Sequence, residues 1–330
     1  MIKVAFFDAR EYDRPGFEKY AKKNEIDFTF FETKLTKDTV RLSQGFDAVC
    51  IFVNDSAEKQ VLMKLEKYGI PLLTLRCAGF NNVDLRYAEN KITVLRVPAY
   101  SPRTVAEHTI AMLLTSIRRI HKAFIRTRSF NFSVNDFTGF ELYSKTVGVI
   151  GTGKIGKAFI DICKGFGMRI LAYDIHPDNS LDIEYTDLDT LFSESDVISL
   201  HCPLTKDNKH LINSASIEKM KKGVVIVNTS RGLLIDTDAL IDGIKDKKIG
   251  AACLDVYEEE SDIFFEDFSG HIVQDDTLAR LISMPNVLVT SHQAFLTKEA
   301  LDNIAETTCE NIAKFFSGQV QNEINFANLG

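Results

Sequence analysis

Several features typical of other protein classes are absent from this sequence of 330 residues. It has no block of lysines and arginines and no basic tail, and its formal net charge is −7, so a nucleic-acid partner is not indicated. No apolar run reaches about 18 residues, the length that a membrane-spanning helix needs. The N-terminal segment meets Asp8 too early for a signal peptide. We therefore expect a cytoplasmic protein with no membrane partner.

Paired cysteines are missing as well. The six cysteines are dispersed, none forms a Cys-x-x-Cys pair, and most fall within apolar strand or helix patterns. This distribution favours buried, reduced thiols over a disulfide framework, and no metal site is predicted. Hydrophobic residues make up 45% of the chain and charged residues 26%, as in ordinary globular proteins, and the length predicts about two domains.

A glycine-rich segment, residues 144–174, carries the strongest local signal. A β-branched run at 147–150 predicts a strand, and apolar residues recur at helical spacing after the glycines. Between them lies a Gly-x-Gly-x-x-Gly pattern formed by Gly151, Gly153 and Gly156. These glycines fit a tight turn, a close approach of backbone to a pyrophosphate, and close packing of helix on strand, and the helix start offers N–H groups to the phosphates.

Asp174 completes this pattern, because it ends the next predicted strand, 169–173. A carboxylate at this position can accept hydrogen bonds from a ribose diol and repels a 2′-phosphate, and no arginine follows at 175–178 to bind such a phosphate. A Gly-x-Gly-x-x-Gly pattern alone also occurs in turns that bind nothing. Here the strand, the helix and the acid supply the context that the pattern requires, so the sequence predicts an NAD site.

The rest of the chain predicts an α/β fold with two parallel sheets, because strand-like runs alternate with helix-length segments. The first sheet is expected at 3–7, 28–31, 48–53, 72–76 and 93–97, and the second, of six strands, at 147–150, 169–173, 197–200, 224–228, 251–254 and 287–290. One long helix is predicted from residue 102 to about 124, and another over 297–317.

These elements predict a Rossmann NAD-binding domain at 101–296, inserted into a discontinuous, flavodoxin-like substrate domain formed by 1–100 and 297–330. Two crossings between domains would permit hinge closure. Polar loops that carry Arg231, the acidic run 255–260 and His292 follow strands of the second sheet. Because parallel strands end at one edge, a cation, a carboxylate and an imidazole should meet beside the cofactor. Singly, each could be a surface arginine, a solvated acid or a capping histidine.

A set of motifs resembles one known family. They are RCAGFNNVDL at 76–85, RVPAYSPRTVAEHT at 96–109, VIGTGKIG at 149–156, SESDVISLHCPLT at 193–205, VNTSRG at 227–232, DVYEEE at 255–260 and SHQAFLT at 291–297. Their order and near full-length span resemble the D-isomer-specific 2-hydroxyacid dehydrogenases, and within them the fermentative D-lactate dehydrogenases. The resemblance implies reversible hydride transfer between NADH and pyruvate, giving D-lactate, in a homo-oligomer (dimer or tetramer).

Three catalytic residues are implied by this resemblance. His292 would act as the general acid and base at the keto oxygen, and Arg231 would bind the substrate carboxylate and polarise the carbonyl. Glu260, the last acid of the D-V-[FY]-E-x-E pattern, would orient the imidazole and favour its protonated form. Ser291 and Glu259 stand where the family commonly has proline, and proline or glycine; we interpret both as marks of a subfamily.

Binding residues are implied in the same way. The N–H groups around Ala78 and Gly79 and the hydroxyl of Tyr100 would hold the substrate carboxylate. We hypothesise that Phe52, Tyr100 and Phe295 crowd the substrate's side chain and favour pyruvate over larger 2-keto acids. Cofactor contacts are implied for Gly151, Gly153, Lys154, Ile155, Gly156, Asp174, His201, Cys202, Pro203, Asn208, Thr229, Ser230, Arg231 and Asp255. For His201, a buried structural histidine is the alternative.

Two other functions stay open at this point. One is a dehydrogenase that acts on a larger 2-keto acid. The other is an NAD-sensing binding or corepressor protein, because the fold alone does not distinguish an enzyme from a sensor. The presence of Arg231, Glu260 and His292 together favours the enzyme.

Overall fold

Two parallel sheets organise the chain. The computed structural model describes residues 1–260 and 263–329 and separates two units, Met1–Ser101 with Leu296–Gly330, and Pro102–Phe295. The first unit contains a five-stranded sheet and the second a seven-stranded sheet, and all strand pairs are parallel. The predicted α/β fold, with one parallel-sheet domain inserted into another, is confirmed.

The strands are β1 (Ile2–Phe6), β2 (Ile26–Phe30), β3 (Ala48–Ile51), β4 (Leu72–Leu75), β5 (Thr93–Arg96), β6 (Thr146–Ile150), β7 (Arg169–Tyr173), β8 (Glu184–Tyr185), β9 (Val197–Leu200), β10 (Val224–Asn228), β11 (Ile249–Leu254) and β12 (Val287–Val289). The helices are α1 (Arg14–Lys23), α2 (Lys59–Lys67), α3 (Leu85–Ala88), α4 (Pro102–Ile117), α5 (Ile120–Arg128), α6 (Lys154–Gly165), α7 (Leu188–Glu194), α8 (Ser214–Lys219), α9 (Thr237–Lys245), α10 (Asp276–Ser283) and α11 (Lys298–Phe316).

The first unit has the strand order β2-β1-β3-β4-β5, the flavodoxin-like arrangement. Its central strands β3 and β4 are buried along their whole length, as expected of a parallel sheet with both faces covered. Helix α11 packs against α1 in this unit. The Thr297 side chain caps α11 by accepting the Ala300 N–H, which explains why the helix begins there.

The second unit has the order β12-β11-β10-β9-β6-β7-β8. The direction of winding reverses between β6 and β9, and in doubly wound sheets ligands bind in the crevice at such a point, beyond the carboxyl ends of the strands. The loop after β6 carries the glycine pattern, and the loop after β9 carries His201 and Cys202. The fold thus brings these two loops to the expected ligand crevice.

Two predictions about this unit were wrong. A seventh strand, β8, joins the sheet edge; it has only two residues, too few to produce a hydrophobic pattern. The single helix predicted from 102 to about 124 is two helices, α4 and α5, separated at Arg119. Arg119 adopts a left-handed conformation with φ of 51°. Glycine usually occupies such a position, so an arginine there gives no sign in the sequence that the helix ends.

The cysteines and the helices can be compared with what the composition predicted. All six cysteines are free; five are buried and Cys202 is half-buried. Within residues 1–260 and 263–329, no helix is both long enough and apolar enough to cross a membrane.

Candidate active site

Three neighbouring strands carry the predicted catalytic residues on the loops that follow them. Strands β10, β11 and β12 are adjacent and parallel, and they are followed by Arg231, Glu260 and His292 respectively. The carboxyl ends of all three strands lie at one edge of the sheet. This is also the edge at which β6 leads into the glycine loop. The fold therefore places the three loops in a row at the ligand edge.

His292 and Glu260 form a direct pair. The imidazole Nδ1 lies 2.8 Å from Glu260 Oε1, and the two side chains are only 17% and 20% exposed. Glu260 Oε2 accepts the N–H of Tyr257 at 2.9 Å, which fixes the carboxylate. With the carboxylate at Nδ1, that nitrogen carries a proton, and Nε2 is the ring atom available for proton exchange.

The neighbouring acid Glu258 has a different partner. Its Oε1 lies 2.6 Å from His210 Nε2, and its Oε2 accepts the Thr237 hydroxyl at 3.0 Å at the start of α9. The acidic run after β11 is thus divided between two histidines. Glu258 binds His210 and the start of α9, whereas the Glu260 carboxylate binds His292.

Asp255 organises the loop that holds His292. Its side chain is completely buried and accepts the Thr290 hydroxyl at 2.6 Å and the N–H groups of Gln293 and Ala294, each at 2.9 Å. Its backbone carbonyl accepts the His292 N–H at 2.7 Å. His292 itself has a φ of 50°, a strained value for a residue other than glycine. Asp255 therefore supplies the contacts that hold the imidazole-bearing residue in this conformation.

The charge of Asp255 is maintained in the interior. Burial alone would raise its pKa, but hydrogen bonds from His108 and Thr290 and the nearby His292 hold the pKa of Asp255 below its usual range. His108 Nε2 lies 3.4 Å from Asp255 Oδ1. The resemblance implied a cofactor contact for Asp255; in the structure, its carboxylate oxygens accept hydrogen bonds from the loop that carries His292.

Arg231 lies on a turn that the buried Asn228 shapes. Asn228 Oδ1 accepts the Ser230 N–H at 3.0 Å, and its Nδ2 donates to the Arg231 carbonyl at 2.9 Å. Arg231 Nη1 donates to the Ser230 carbonyl at 2.7 Å. Arg231 is half-buried and lies at the ligand edge of the sheet. Thr229 contacts Thr109 of α4 through their hydroxyls, 2.9 Å apart.

The glycine loop fits a bound pyrophosphate. Gly151 has a φ of 97°, and a Cβ on it would lie 2.6 Å from the Cys202 nitrogen; a Cβ on Gly156 would lie 2.0 Å from the Gly151 carbonyl oxygen. At Gly153, in contrast, no heavy atom lies within 4 Å of the Cβ position, so the space above the loop is open. The first hydrogen bond of α6 runs from the Lys157 N–H to the Gly153 carbonyl. The three preceding amides, including those of Lys154 and Ile155, can face a phosphate.

Asp174 lies beside this loop. Its Oδ2 accepts the N–H of Thr152 at 2.6 Å and its Oδ1 accepts the N–H of His176 at 2.8 Å. Although partial burial acts in the opposite direction, the N–H groups of His176 and Thr152 hold the pKa of Asp174 below its usual range. The ionised carboxylate suits a ribose diol. The ammonium of Lys157 is bound 2.5 Å from Asp178 Oδ2.

The loop after β9 contains the other predicted cofactor residues. Asn208 is engaged within that loop, because its Oδ1 accepts the Thr205 N–H at 2.7 Å and its Nδ2 donates to the Pro203 carbonyl at 2.8 Å. The Cys202 carbonyl accepts the Ser230 hydroxyl at 2.5 Å, which joins this loop to the one after β10. The His201 ring contacts the Phe159 ring, and burial lowers its pKa to about 3. This histidine is neutral at physiological pH.

The predicted substrate residues of the first unit follow the carboxyl ends of its strands. Phe52 is buried directly after β3, and the Ala78 carbonyl accepts Arg96 Nη1 at 2.9 Å. The Gly79 carbonyl accepts the Cys77 thiol at 3.3 Å, and the Tyr100 carbonyl accepts Asn303 Nδ2 at 2.7 Å. Phe295, the last residue of the second unit, is buried.

Three supporting residues, Asn228, His108 and Thr290, were not predicted from the sequence. Asn228 was readable in principle, since it is a polar residue at the end of an apolar strand and directly precedes the Thr-Ser-Arg-Gly turn. His108 lies on α4, far from Asp255 in the sequence, and no spacing rule connects the two. Thr290 directly precedes the motif at 291–297, but its partner Asp255 lies 35 residues away, and no local pattern predicts that contact.

Comparison with known proteins agrees with this arrangement. The family model for the NAD-binding domain of D-isomer specific 2-hydroxyacid dehydrogenases matches residues 110–294. D-lactate dehydrogenase of Escherichia coli K12 is 52% identical over 322 residues, covering 96% of this chain and 98% of that protein. The apo-structure of D-lactate dehydrogenase from E. coli, 49% identical, has a TM-score of 0.89 and covers 98% of this chain and 100% of that chain.

A more distant structure contains the cofactor. The NAD-complexed D-isomer specific 2-hydroxyacid dehydrogenase from Lactobacillus delbrueckii ssp. bulgaricus is 31% identical, with a TM-score of 0.83, and covers 98% of this chain and 100% of that chain. The predictions of an oxidoreductase and of NAD as its cofactor are thereby confirmed. The chain belongs to the D-isomer-specific 2-hydroxyacid dehydrogenase family.

Proposed function

We propose that this protein catalyses reversible hydride transfer between NADH and pyruvate and so forms D-lactate. The observation that carries the proposal is the half-buried His292–Glu260 pair, 2.8 Å apart, at the sheet edge that also holds the glycine loop. A relative named D-lactate dehydrogenase that is 52% identical over nearly the whole chain supports the choice of substrate.

In the proposed mechanism, NADH supplies the hydride when it is bound. The Arg231 guanidinium binds the substrate carboxylate through its planar fork of donors and polarises the adjacent carbonyl. His292 gives the proton on Nε2 to the keto oxygen and takes it back in the reverse direction. Glu260 accepts from Nδ1, which keeps the ring oriented and stabilises its charged form. Proton transfer of this kind contributes roughly 10²–10⁴-fold to a rate.

The cofactor contacts are proposed on the same basis. The amides of Lys154 and Ile155 at the start of α6, with the glycine loop, would hold the pyrophosphate, and Asp174 would accept from the adenosine ribose. Residues near the nicotinamide end would be Thr229, Ser230 and Arg231, with His201, Cys202, Pro203 and Asn208 along the cofactor. We assign Asp255 to this end through its hold on the His292 loop.

The substrate contacts proposed for the first unit are the amides around Ala78 and Gly79 and the Tyr100 hydroxyl. Phe52 and Phe295, with Tyr100, would limit the size of the substrate's side chain. Residues 1–100 and 297–330 would accordingly serve as the substrate domain, and 101–296 as the NAD-binding domain. The expected site of action is the cytoplasm, where reduced thiols such as the six free cysteines are usual.

A homo-oligomer is proposed as well. Helix α5 and the segment after it expose large apolar side chains that a second copy could cover. They are Ile120, Phe124, Ile125, Phe130, Phe132, Val134 and Tyr143, each more than half exposed. Apolar surface of this extent is uncommon on a monomer. Sedimentation velocity tests the proposal, since a strictly monomeric chain would contradict it.

The activity is tested by following NADH absorbance after pyruvate is added. We expect turnover by the unmutated protein, loss of about 10³-fold in kcat for His292→Ala, and wild-type rates for His271→Ala, a control at an exposed histidine. No turnover by the unmutated protein would favour the NAD-sensing alternative. A larger kcat/KM for 2-ketoisocaproate or phenylpyruvate than for pyruvate would instead favour the dehydrogenase of larger 2-keto acids.

A further inference from the structure

A buried carboxylate shapes the turn that carries Phe52. Asp55 is 2% exposed; its Oδ2 accepts the Phe52 N–H at 2.6 Å and its Oδ1 accepts the Leu35 N–H at 2.5 Å. One carboxylate therefore joins the turn after β3 to the loop after β2. Burial raises the pKa of Asp55 to about 7, while Arg76 and the two N–H groups act in the opposite direction.

Asn82 ties the same turn to the next loop along the sheet. Its Nδ2 donates to the carbonyls of both Phe52 and Asp55, each at 2.8 Å, and its own carbonyl accepts the Ala57 N–H at 2.9 Å. Asn82 lies four residues or fewer from Ala78 and Gly79 in the chain. Hydrogen bonds of Asn82 thus join the turn after β3 to the loop after β4.

Arg76 packs against the ring of Phe52. Its guanidinium carbon lies 4.7 Å from the centroid of the Phe52 ring. The same guanidinium donates to the carbonyls of Phe7 and Asp8, at 3.0 and 2.6 Å, directly after β1. The side chain is 1% exposed, so the cation–π contact is made away from water, where such contacts are strongest.

We propose that Asp55 and Asn82 are positioning residues that set the substrate's side-chain size through Phe52. The Phe52 N–H donates to Asp55, its carbonyl accepts from Asn82, and its ring packs against the Arg76 guanidinium. Because its backbone is bound at two points and its ring packs against a buried guanidinium, Phe52 forms a rigid wall, which rejects an extra methylene more strongly than a mobile one. The inference rests on the proposed function, because it assumes that Phe52 faces the substrate.

Two single variants test it, Asp55→Asn and Asn82→Ala. The first replaces one of two acceptor oxygens by a donor, so one buried N–H loses its partner. The second removes both donors at a half-buried position and keeps the test available if the first variant folds poorly. Asp38→Asn makes the same chemical change as the first at an exposed position and is the matched control.

The readout is the ratio of kcat/KM for pyruvate to kcat/KM for 2-ketoisocaproate, with NADH affinity and the pH profile of kcat followed in parallel. We expect this ratio to fall about tenfold in both variants, because kcat/KM for 2-ketoisocaproate rises once the wall is mobile, and to stay unchanged in the control. NADH affinity and the pH profile should keep their wild-type values. A purely structural role would lower the amount of active protein without changing the ratio.

A double-mutant cycle shows whether the effect runs through Phe52. In a Phe52→Leu background, Asp55→Asn should change the ratio by less than about twofold, because the wall is already gone. The same tenfold change in both backgrounds, or an unchanged ratio in the single variants, would overturn the proposal while pyruvate turnover remained. If the unmutated protein failed to turn over pyruvate, the proposed function would fall, and this inference with it.

Discussion

Replacing Asp255 by asparagine should damage stability and catalysis together. The carboxylate accepts the Thr290 hydroxyl through Oδ1 with the Gln293 N–H, and the Ala294 N–H through Oδ2. An asparagine has a single acceptor oxygen, so at least one of these buried donors would face an NH2 group. A buried donor without a partner costs about 1–3 kcal/mol, and the lost charge adds to this. We expect the free energy of unfolding to fall by about 2–4 kcal/mol.

The same change should lower kcat. His292 has a φ of 50°, and its N–H is bound to the Asp255 carbonyl. A residue held in this region stores roughly 1–3 kcal/mol, so a loosened loop would relax to another conformation and displace the imidazole. Because displacement by about 1 Å costs on the order of 10²-fold, kcat should fall by at least that factor.

Urea unfolding and steady-state NADH oxidation measure the two effects, with Asp182→Asn as the control at an exposed aspartate of the same unit. The pKa of Asp255 is held below the usual 3.8, so its contribution is fully present above that value and is lost only as pH falls through the lowered pKa. The loss of stability in the variant should therefore be equal at pH 6 and pH 8. Wild-type stability with only a raised KM for NADH would refute this reasoning and favour direct contact with the nicotinamide.

The remaining predictions concern the cofactor side. Gly156→Ala places a Cβ 2.0 Å from the Gly151 carbonyl oxygen and should weaken NADH binding at least tenfold by fluorescence titration, whereas Gly165→Ala, with open space around it, should not. Asp174→Ala should lower the preference for NADH over NADPH by roughly 10-fold or more in kcat/KM, and equal use of both cofactors by the unmutated protein would contradict its role. The pKa of His201 is lowered to about 3, so the unfolded chain takes up the extra proton below about pH 6.5. Acidification from pH 7.5 to 5 should therefore cost about 1–2 kcal/mol of stability, and His201→Gln should abolish that part.

Parts of the fold and of the candidate site could be predicted where a position strongly favours one type of residue. Gly151 was predictable because its φ of 97° favours glycine, and Asp174 because an acid directly after β7 suits the ribose contact that we propose for it. All the strands except the two-residue β8 were also predictable from their apolar runs, since parallel strands covered on two faces are apolar throughout.

What the sequence did not reveal depends on contacts between distant segments. The left-handed Arg119, which divides α4 from α5, has no local signal. Asp255 gains its role from Thr290 and Ala294, more than thirty residues away, and Asp55 from Leu35, twenty residues away. Such buried carboxylates look like ordinary surface acids until the fold brings N–H groups to them.

The central claim is most directly tested by the stereochemistry of the product. The unmutated protein is incubated with NADH and pyruvate, the lactate formed is resolved on a chiral column, and its amount is compared with the NADH consumed. We predict D-lactate in one-to-one proportion to the NADH oxidised, formed about 10³-fold more slowly by His292→Ala. L-lactate, or no lactate from the unmutated protein, would contradict the account.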